Sequence, residues 1–306
     1  MNSSSKRGAG RIQKFGNKDT AKKQSVVVSY LAAYLRVMSK QPFHLSYVDA
    51  FAGCGARIDA AEGEAAQAGF AFGASNAQPK ESTALEALRL RPGFHRCVFG
   101  DVNGQHLKSL ELRIANARAA GEVLPETHLL QVDANELVQR ECTWLAGDRL
   151  RRAVMFLDPY GMQVEWRTLQ AIAGCPKIDL WLLLPTGIAI NRLVPRKGEQ
   201  NPRWAEKLDA FYGSPDWRGS FLKSDRDLLG FERPARVLDL NGIVRFTMER
   251  LETLFGGGLY PQALSLRSGR HQAYHLVFAS SSKEERVWKI AHDIAGHLMR
   301  KAQAGS

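Results

Sequence analysis

Short apolar runs rich in β-forming residues alternate with segments of helical periodicity between residues 26 and 184. The spacing of apolar residues predicts helices at residues 26–38, 81–90, 105–119, 136–145 and 165–173. The runs between them predict strands at residues 45–51, 96–101, 128–133, 153–158 and 178–184. Because a strand, a helix and a further strand form a right-handed crossover, this alternation predicts an α/β fold whose parallel sheet is covered on both faces.

The last third of the chain has a different pattern. Residues 263–266 and 273–280 are two β-rich runs separated by a turn that contains Ser and Gly, which predicts an antiparallel hairpin. Residues 192–256 are mostly helical in pattern and rich in aromatic side chains, and we interpret them as a helical insertion. The expected architecture is a Rossmann-like, doubly wound sheet with a C-terminal antiparallel hairpin, in one domain at residues 24–300.

Residues 1–23 contain seven lysines and arginines against one aspartate, with few apolar side chains. A segment of this composition buries too little apolar surface to order itself, so we expect a flexible basic arm. The arm either meets a polyanion or is a solubilising tail that contacts nothing. Residues 56–80 are rich in Ala, Gly, Gln and Asn without a clear period, which is typical of a lid loop or of a tolerated surface insertion.

The formal net charge of +11 produces a positive field that favours nucleic acid as a partner without establishing it. The four cysteines are widely spaced and include no C-x-x-C pair, which argues against a zinc site or a disulfide framework. The apolar run at residues 180–190 is far shorter than the roughly 18 residues that a membrane span needs, and no signal-like segment begins the sequence. We therefore expect a cytoplasmic protein without a membrane partner.

A glycine-rich turn follows the first predicted strand, in the motif DAFAGCG at residues 49–55. Open α/β sheets bind their ligands at the carboxyl ends of the strands. Gly53 and Gly55 would let the backbone approach a ligand closely and adopt conformations that a side chain forbids. Such a turn alone is weak evidence, and the flanking Asp49 and Phe51 make it more specific. We interpret these four residues as part of a cofactor site.

Acidic residues also end the next two predicted strands, at Asp101 and at Asp133, which Ala134 follows. An acid after the second strand can accept hydrogen bonds from the two hydroxyls of a ribose, and one after the third can face an adenine amino group. Each acid could instead be a helix N-cap, because Asp is favoured immediately before a helix. Three acids at successive strand ends favour the cofactor interpretation, with Asp101, Asp133 and Ala134 in the site.

The fourth predicted strand runs into Asp158, Pro159 and Tyr160. Together with the glycine motif, this Asp-Pro-aromatic sequence resembles the motif pair of the amino-methyltransferases that act on adenine in DNA or RNA. The resemblance implies S-adenosylmethionine as the cofactor, with Asp158 and the Pro159 carbonyl orienting the acceptor nitrogen and Tyr160 stacking on an extruded base. That family usually has two prolines before the aromatic residue and this chain has one, which leaves the stacking role open. The alternative is that Pro159 only forms the turn.

A second resemblance covers about residues 25–300. Its runs are YVDAFAG at 47–53, FLDPYGMQ at 156–163, DLW at 179–181, PTG at 185–187 and NRL at 191–193. They look like the bacterial three-Cys-motif partner protein family. This resemblance implies the class I S-adenosylmethionine-dependent methyltransferase fold, in which an antiparallel hairpin closes five parallel strands. It also implies a separate partner protein that carries the cysteine motif.

The segment after the fifth predicted strand lies on the same ligand edge of the sheet. Asn191 and Arg192 could contact a phosphate or a base there, or Thr186 could simply cap a helix. Basic side chains that could line a polyanion groove near this edge are Arg192, Arg196, Lys197, Arg267, Arg270 and His271. A solvated basic surface is the alternative.

Three functions follow from these patterns. The leading hypothesis is methyl transfer from S-adenosylmethionine to an exocyclic amino group of a nucleic acid, adenine N6 first. The second is a partner protein that keeps the fold, works beside a cysteine-motif protein and transfers no methyl group. The third and weakest is a nuclease that binds Mg²⁺ through Asp49, Asp101 and Asp158.

Overall fold

A seven-stranded sheet forms the centre of the computed structural model, which describes residues 18–54, 56–57, 80–194, 201–226, 232–268 and 271–304. Numbered in chain order, its strands are β1 His44–Asp49, β4 Arg96–Gly100, β5 Glu126–Leu130, β6 Arg151–Leu157, β7 Ile178–Leu184, β10 Leu264–Ser268 and β11 His271–Ser280. Two separate strand pairs are β2 Ala56–Arg57 with β3 Lys80–Glu81, and β8 Leu222–Arg226 with β9 Glu232–Arg236.

Helices pack on both faces of this sheet. In chain order they are α1 Lys18–Met38, α2 Thr83–Leu88, α3 Gly104–Ala119, α4 Ala134–Ala146, α5 Trp166–Gly174, α6 Asn191–Leu193, α7 Pro202–Tyr212, α8 Trp217–Phe221, α9 Leu240–Phe255 and α10 Glu285–Ala304. A π-helical turn, Thr186–Ile190, precedes α6. Among the described residues, every helix is too short or too polar to span a lipid bilayer.

The strand order across the sheet is β10-β11-β7-β6-β1-β4-β5. Five neighbouring strands, from β7 to β5, are parallel, whereas β11 runs antiparallel to β7 and forms a hairpin with β10. The predicted α/β class, the five strands in the alternating region and the closing hairpin are therefore confirmed. Strand β7 has the predicted bounds, and the boundaries of the other strands shift by at most three residues.

Alternation of side chains along the strands divides the apolar core into two layers. In β6, Val154 and Phe156 enter one layer, and Met155 and Leu157 enter the other. Helices α1, α2, α3 and α10 cover the first layer, and α4, α5 and α7 to α9 cover the second. This division follows from the two-residue period of a strand, which sends successive side chains to opposite faces.

The stretch at residues 192–256 contains more than the helices that the sequence predicts, because β8 and β9 form a hairpin within it. Its aromatic residues pack into the second core layer, where Trp217, Phe221 and Tyr212 are almost fully buried. Helix α10 is a further element outside the predicted set; it packs beside α1 through Ala295 and Met299.

The flexible arm predicted at residues 1–23 is wrong at its carboxyl end, because residues 18–23 form the first turns of α1. Residues 1–17 lie outside the described part of the chain, as do Gly55 and most of the predicted loop at 56–80. Helix α1 extends beyond its apolar stripe because its first turns also make contacts: Gln24 is buried and donates from Nε2 to Glu86 Oε1 at 2.9 Å. Local composition alone could not indicate those contacts.

One buried polar contact ties α1 to the sheet. The Tyr30 hydroxyl donates to Asp179 Oδ2 at 2.7 Å, and the Tyr30 ring packs against Trp181 and Phe278. Burial raises the pKa of both the Tyr30 hydroxyl and the Asp179 carboxyl. Because the Tyr30 ring and hydroxyl both contact the sheet, they hold α1 at a defined place over it.

We expect Tyr30→Phe to lower the free energy of unfolding by about 1–3 kcal/mol, because it leaves the half-buried Asp179 carboxyl without this donor. Urea denaturation would measure the change. The matched control is Tyr34→Phe, a buried tyrosine on the same helix that forms no hydrogen bond with Asp179 in the structure. Equal losses in the two variants would contradict the assigned role of the Tyr30 hydroxyl.

Candidate functional site

The site is built where β1, β4 and β6 end side by side. Strand β1 lies between the other two, and its last residue, Asp49, is in register with Phe99 of β4 and Phe156 of β6. Because the three strands are parallel, the segments that follow them emerge at the same edge of the sheet. Asp49, Gly53, Asp101 and Asp158 therefore come together from positions more than 100 residues apart in the sequence.

Backbone hydrogen bonds fix the glycine turn to both neighbouring strands. The Ala50 amide donates to the Phe156 carbonyl at 3.3 Å, and the Ala52 amide donates to the Gly100 carbonyl at 3.0 Å. Gly53 has φ +62°, in the left-handed region that favours glycine, and among the described residues no atom lies within 4 Å of the position a Cβ would occupy. The turn therefore presents an open, side-chain-free surface at Gly53.

Asp49 begins this turn and is only 3% exposed. Its Oδ1 accepts from the Phe51 amide at 3.1 Å, and its Oδ2 accepts from the Tyr47 hydroxyl at 3.4 Å. The pKa of Asp49 is raised to about 7, mainly by burial and also by the negative charge of Asp158, against the lowering effects of the Phe51 amide, the Lys23 charge and the Tyr47 hydroxyl. The Phe51 ring packs against the second core layer.

Asp101 links the end of β4 to the glycine turn. Its Oδ2 accepts from the Gly53 amide at 3.2 Å, and its Oδ1 accepts from the Asn103 amide at 2.7 Å. His106 Nδ1 also lies 3.0 Å from Oδ2. The N-cap of α3 is Asn103, so Asp101 is not the capping residue and instead lies beside Gly53.

Asp133 is the N-cap of α4, as the capping alternative predicted for it. Its Oδ1 accepts from the Asn135 amide at 2.8 Å, and its side chain is exposed at the edge beyond β4. The Ala134 side chain is buried in the second core layer. The capping bond does not test whether Asp133 and Ala134 also contact an adenine ring, so that role stays a prediction.

A buried asparagine that the sequence patterns did not single out orders the segment after β6. Asn135 Nδ2 donates to the Gln163 carbonyl at 2.9 Å. Its Oδ1 accepts from the Glu165 amide at 2.9 Å and from the Thr168 hydroxyl at 2.8 Å. These bonds fix the end of the segment that carries Asp158 and Tyr160, so Asn135 supports the site without belonging to its surface.

The Asp158 carboxylate forms an ion pair with Lys23 of α1, Nζ to Oδ2. The ammonium also lies 5.8 Å from the centre of the Phe156 ring. Both charged side chains are largely enclosed, Lys23 at 13% and Asp158 at 26% exposed. The sequence indicated Asp158 but not Lys23, because nothing in a basic segment distinguishes one lysine that will face a carboxylate 135 residues away.

Two tyrosines lie near Asp158. Tyr160 is 56% exposed, and its amide donates to Gln163 Oε1 at 2.9 Å. Pro159, between Asp158 and Tyr160, is buried. Tyr274 of β11 is half-buried; burial, with smaller contributions from the negative charges of Asp158 and Tyr160, raises the pKa of its hydroxyl to about 12. Tyr274 reaches the site because the antiparallel hairpin brings the start of β11 to the carboxyl end of β7.

Residues after β7 have structural contacts that the sequence did not indicate. Thr186 Oγ1 lies 2.6 Å from His275 Nδ1, and burial lowers the pKa of His275 to about 4. Thr186 lies inside the π-helical turn and is not its cap, so the capping alternative is wrong there. The Asn191 carbonyl accepts from Arg236 Nη1 at 2.8 Å.

The predicted basic groove is only partly described. Arg192 and Arg267 have exposed side chains, whereas Arg196, Lys197 and Arg270 lie outside the described residues and His271 is described by its backbone alone. Within the described residues, no group of three or more His, Cys, Asp and Glu side chains is arranged to hold a metal ion.

We expect the unfolding free energy of the wild-type chain to fall, relative to that of Asp49→Asn, as the pH rises from about 4 to about 7. Folded Asp49 holds its proton over this range while the unfolded residue is already ionised, so the folded state loses stability until both are ionised. The total difference is at most about 4 kcal/mol. Urea unfolding at a series of pH values measures this difference, and Asp133→Asn, which changes an exposed aspartate, is the control. Parallel plots of unfolding free energy against pH for wild type and Asp49→Asn would contradict the raised pKa.

No protein-family model matches the chain, and no curated protein matches it. Among solved structures, the chain is similar to protein LPL1258 from Legionella pneumophila str. Philadelphia 1, described by the family model DUF519. The two share 14% sequence identity, the similarity covers 88% of this chain and 98% of that chain, and the TM-score is 0.40. At this identity and TM-score, we infer nothing about function from the similarity.

Proposed function

We propose that this chain is an S-adenosylmethionine-dependent methyltransferase that acts on an exocyclic amino group of nucleic acid, adenine N6 first. The observation that carries the proposal is the convergence of the open glycine turn, the acid bonded to it and the Asp-Pro-Tyr segment at one edge of the sheet. Asp101 Oδ2 accepts from the Gly53 amide, and Asp158 ends the next strand but one. This is the edge where α/β sheets bind nucleotide-like ligands.

The arrangement of strands supports the finer assignment of the fold. Five parallel strands closed by an antiparallel hairpin are the layout of class I methyltransferases, and this chain has that layout from β5 to β10. We therefore extend the α/β assignment to the class I type as part of the proposal.

The residues present fit S-adenosylmethionine. The positive φ of Gly53 and the space around it would let the ligand lie directly on the backbone of the turn. Asp101 Oδ1 has a second lone pair beyond its bond to the Asn103 amide, which could accept from a ribose hydroxyl, whereas Oδ2 already faces both the Gly53 amide and His106 Nδ1. When bound, the cofactor supplies a methyl group on a sulfonium, so the protein needs neither a metal nor a covalent nucleophile.

The acceptor side is formed by the segment after β6. Asp158 and the Pro159 carbonyl would accept hydrogen bonds from the target amino group and align its nitrogen with the methyl group, and positioning of this kind supplies most of the catalysis. The exposed ring of Tyr160 and the half-buried ring of Tyr274 offer aromatic surfaces to a planar base. The net charge of +11 favours a polyanionic acceptor.

A second candidate function is a partner protein of the three-Cys-motif partner type that transfers no methyl group. The single proline before Tyr160 favours it, since the amino-methyltransferases usually have two. Such a protein would keep the pocket at Gly53 and bind a cysteine-motif protein.

We expect calorimetric titration to show micromolar binding of S-adenosylmethionine and S-adenosylhomocysteine to the wild-type chain, and none to Gly53→Val. Valine would be strained at φ +62° and would fill the space that the ligand needs. The control is Gly121→Val, which changes a glycine with φ +87° and equally open surroundings in the turn after α3, at the opposite edge of the sheet. This variant should lose stability and retain binding.

We expect Asp158→Ala to abolish methyl transfer to DNA or RNA while its cofactor affinity stays within about threefold of wild type, because Asp158 contacts the acceptor rather than the cofactor. A radiolabelled methyl-transfer assay beside the same titration measures both effects. Equal loss of cofactor binding in Gly53→Val and Asp158→Ala would contradict the two roles. Binding without transfer to any nucleic acid would favour the partner-protein function.

A further inference from the structure

We propose that Lys23 is a positioning residue of the transfer site, which holds the Asp158 carboxylate in a single orientation. The inference rests on the proposed methyltransferase function, and it extends the site to a helix that the sequence assigned in part to a flexible arm. Its basis is the ion pair between Lys23 Nζ and Asp158 Oδ2, which joins the second turn of α1 to the carboxyl edge of the sheet.

The Lys23 ammonium extends from a helix that is anchored to the rest of the protein. One turn further along α1, Val26 and Val27 are buried in the first core layer. The adjacent Gln24 donates to Glu86, and Tyr30 donates to Asp179. Because these contacts hold the helix immediately after Lys23, its side chain loses less entropy on ordering than one on a free arm.

The ion pair between Lys23 and Asp158 is largely enclosed, so each charged group is stabilised mainly by the other. Lys23 is 13% exposed and lies over the Phe156 ring, where the ring face attracts a cation. Removing one member of a largely enclosed ion pair leaves the other charge poorly solvated. The Asp158 carboxylate therefore depends on Lys23 for its side-chain orientation.

The geometry also separates the two oxygens of Asp158. Oδ2 accepts from Lys23, so Oδ1 is the oxygen that can accept from the target amino group. The same ammonium offsets the repulsion between Asp158 and the buried Asp49 on the neighbouring strand. Lys23 thus acts through Asp158 and does not itself contact the acceptor.

The test compares Lys23→Met, Lys23→Arg and the control Lys22→Met. Methionine keeps the length and helix propensity of lysine without the charge, and arginine keeps the charge. Lys22 is the neighbouring residue and pairs with Asp19 at 3.7 Å, so its replacement removes the same charge from the same turn. Circular dichroism would confirm that all three variants are folded.

For Lys23→Met, we expect kcat to fall roughly tenfold or more, because a displaced carboxylate misaligns the acceptor nitrogen. The affinity for S-adenosylhomocysteine should stay within about twofold of wild type, since the cofactor contacts lie on the other side of β1. Lys23→Arg should recover part of the rate, and Lys22→Met should match wild type. An unchanged or raised kcat in Lys23→Met would overturn the proposal, and a raised value would mean that Lys23 competes with the acceptor.

A second readout needs no methyl transfer. Carbon-13 NMR follows the ionisation of the Asp49 carboxyl, whose pKa lies at about 7 and is lowered by Lys23 and raised by Asp158. We expect its titration midpoint to rise in Lys23→Met, to fall in Asp158→Asn and to be unchanged in Lys22→Met. If wild type transfers no methyl group but the midpoints move in this way, the proposed function fails while the placement of the Lys23 charge beside Asp158 and Asp49 stands. An unmoved midpoint in Lys23→Met would overturn the inference whatever the transfer assay shows.

Discussion

Parallel pairing of β4, β1 and β6 is the constraint on which the rest of the site depends. Parallel strands end at a common edge, so each segment that follows one of them is delivered to the same place. The register of β1 with both neighbours brings Asp49 level with the strand residues that precede Asp101 and Asp158. Strand pairing therefore brings three acids that are widely separated in the sequence to one edge of the sheet.

Carboxylates that lie close together and partly shielded from water repel one another. Each of the three acids has a different environment that offsets this repulsion. Asp101 receives two backbone amides, which stabilise its charge. Asp49 is buried and has its pKa raised to about 7, so the neutral form is populated in the folded chain. Asp158 is paired with the ammonium of Lys23. The three carboxyls thus have distinct environments, a usual condition for groups of like charge to take distinct roles.

Helix α1 links this electrostatic arrangement to the stability of the core. Its apolar face and the bond from Tyr30 to Asp179 hold it against the first core layer, near the amino end of β7. Its second turn reaches the opposite, carboxyl edge and presents Lys23 to Asp158. A helix that crosses the sheet from edge to edge therefore couples folding of the N-terminal region to completion of the site.

The amino-acid sequence by itself determined the α/β class, the alternating strands and helices, the closing hairpin and the glycine turn. These features depend on periods of two and 3.6 residues and on glycine chemistry, which act within a few residues of the chain. It also indicated Asp49, Asp101 and Asp158, because an acid at a strand end stands out locally. Only the tertiary structure decided that Asp133 is a cap and Asp101 is not, since the two look alike in sequence.

The tertiary structure also decided where the basic segment ends and which residues complete the edge. Lys23 pairs with Asp158, and Tyr274 comes near it, across long separations in the chain, through the packing of α1 and the register of β11 with β7. Asn135 orders the segment after β6 through bonds to residues about 30 positions away. Local patterns carry no information about such contacts, because the contacts exist only once non-local strands have paired and helices have packed on them.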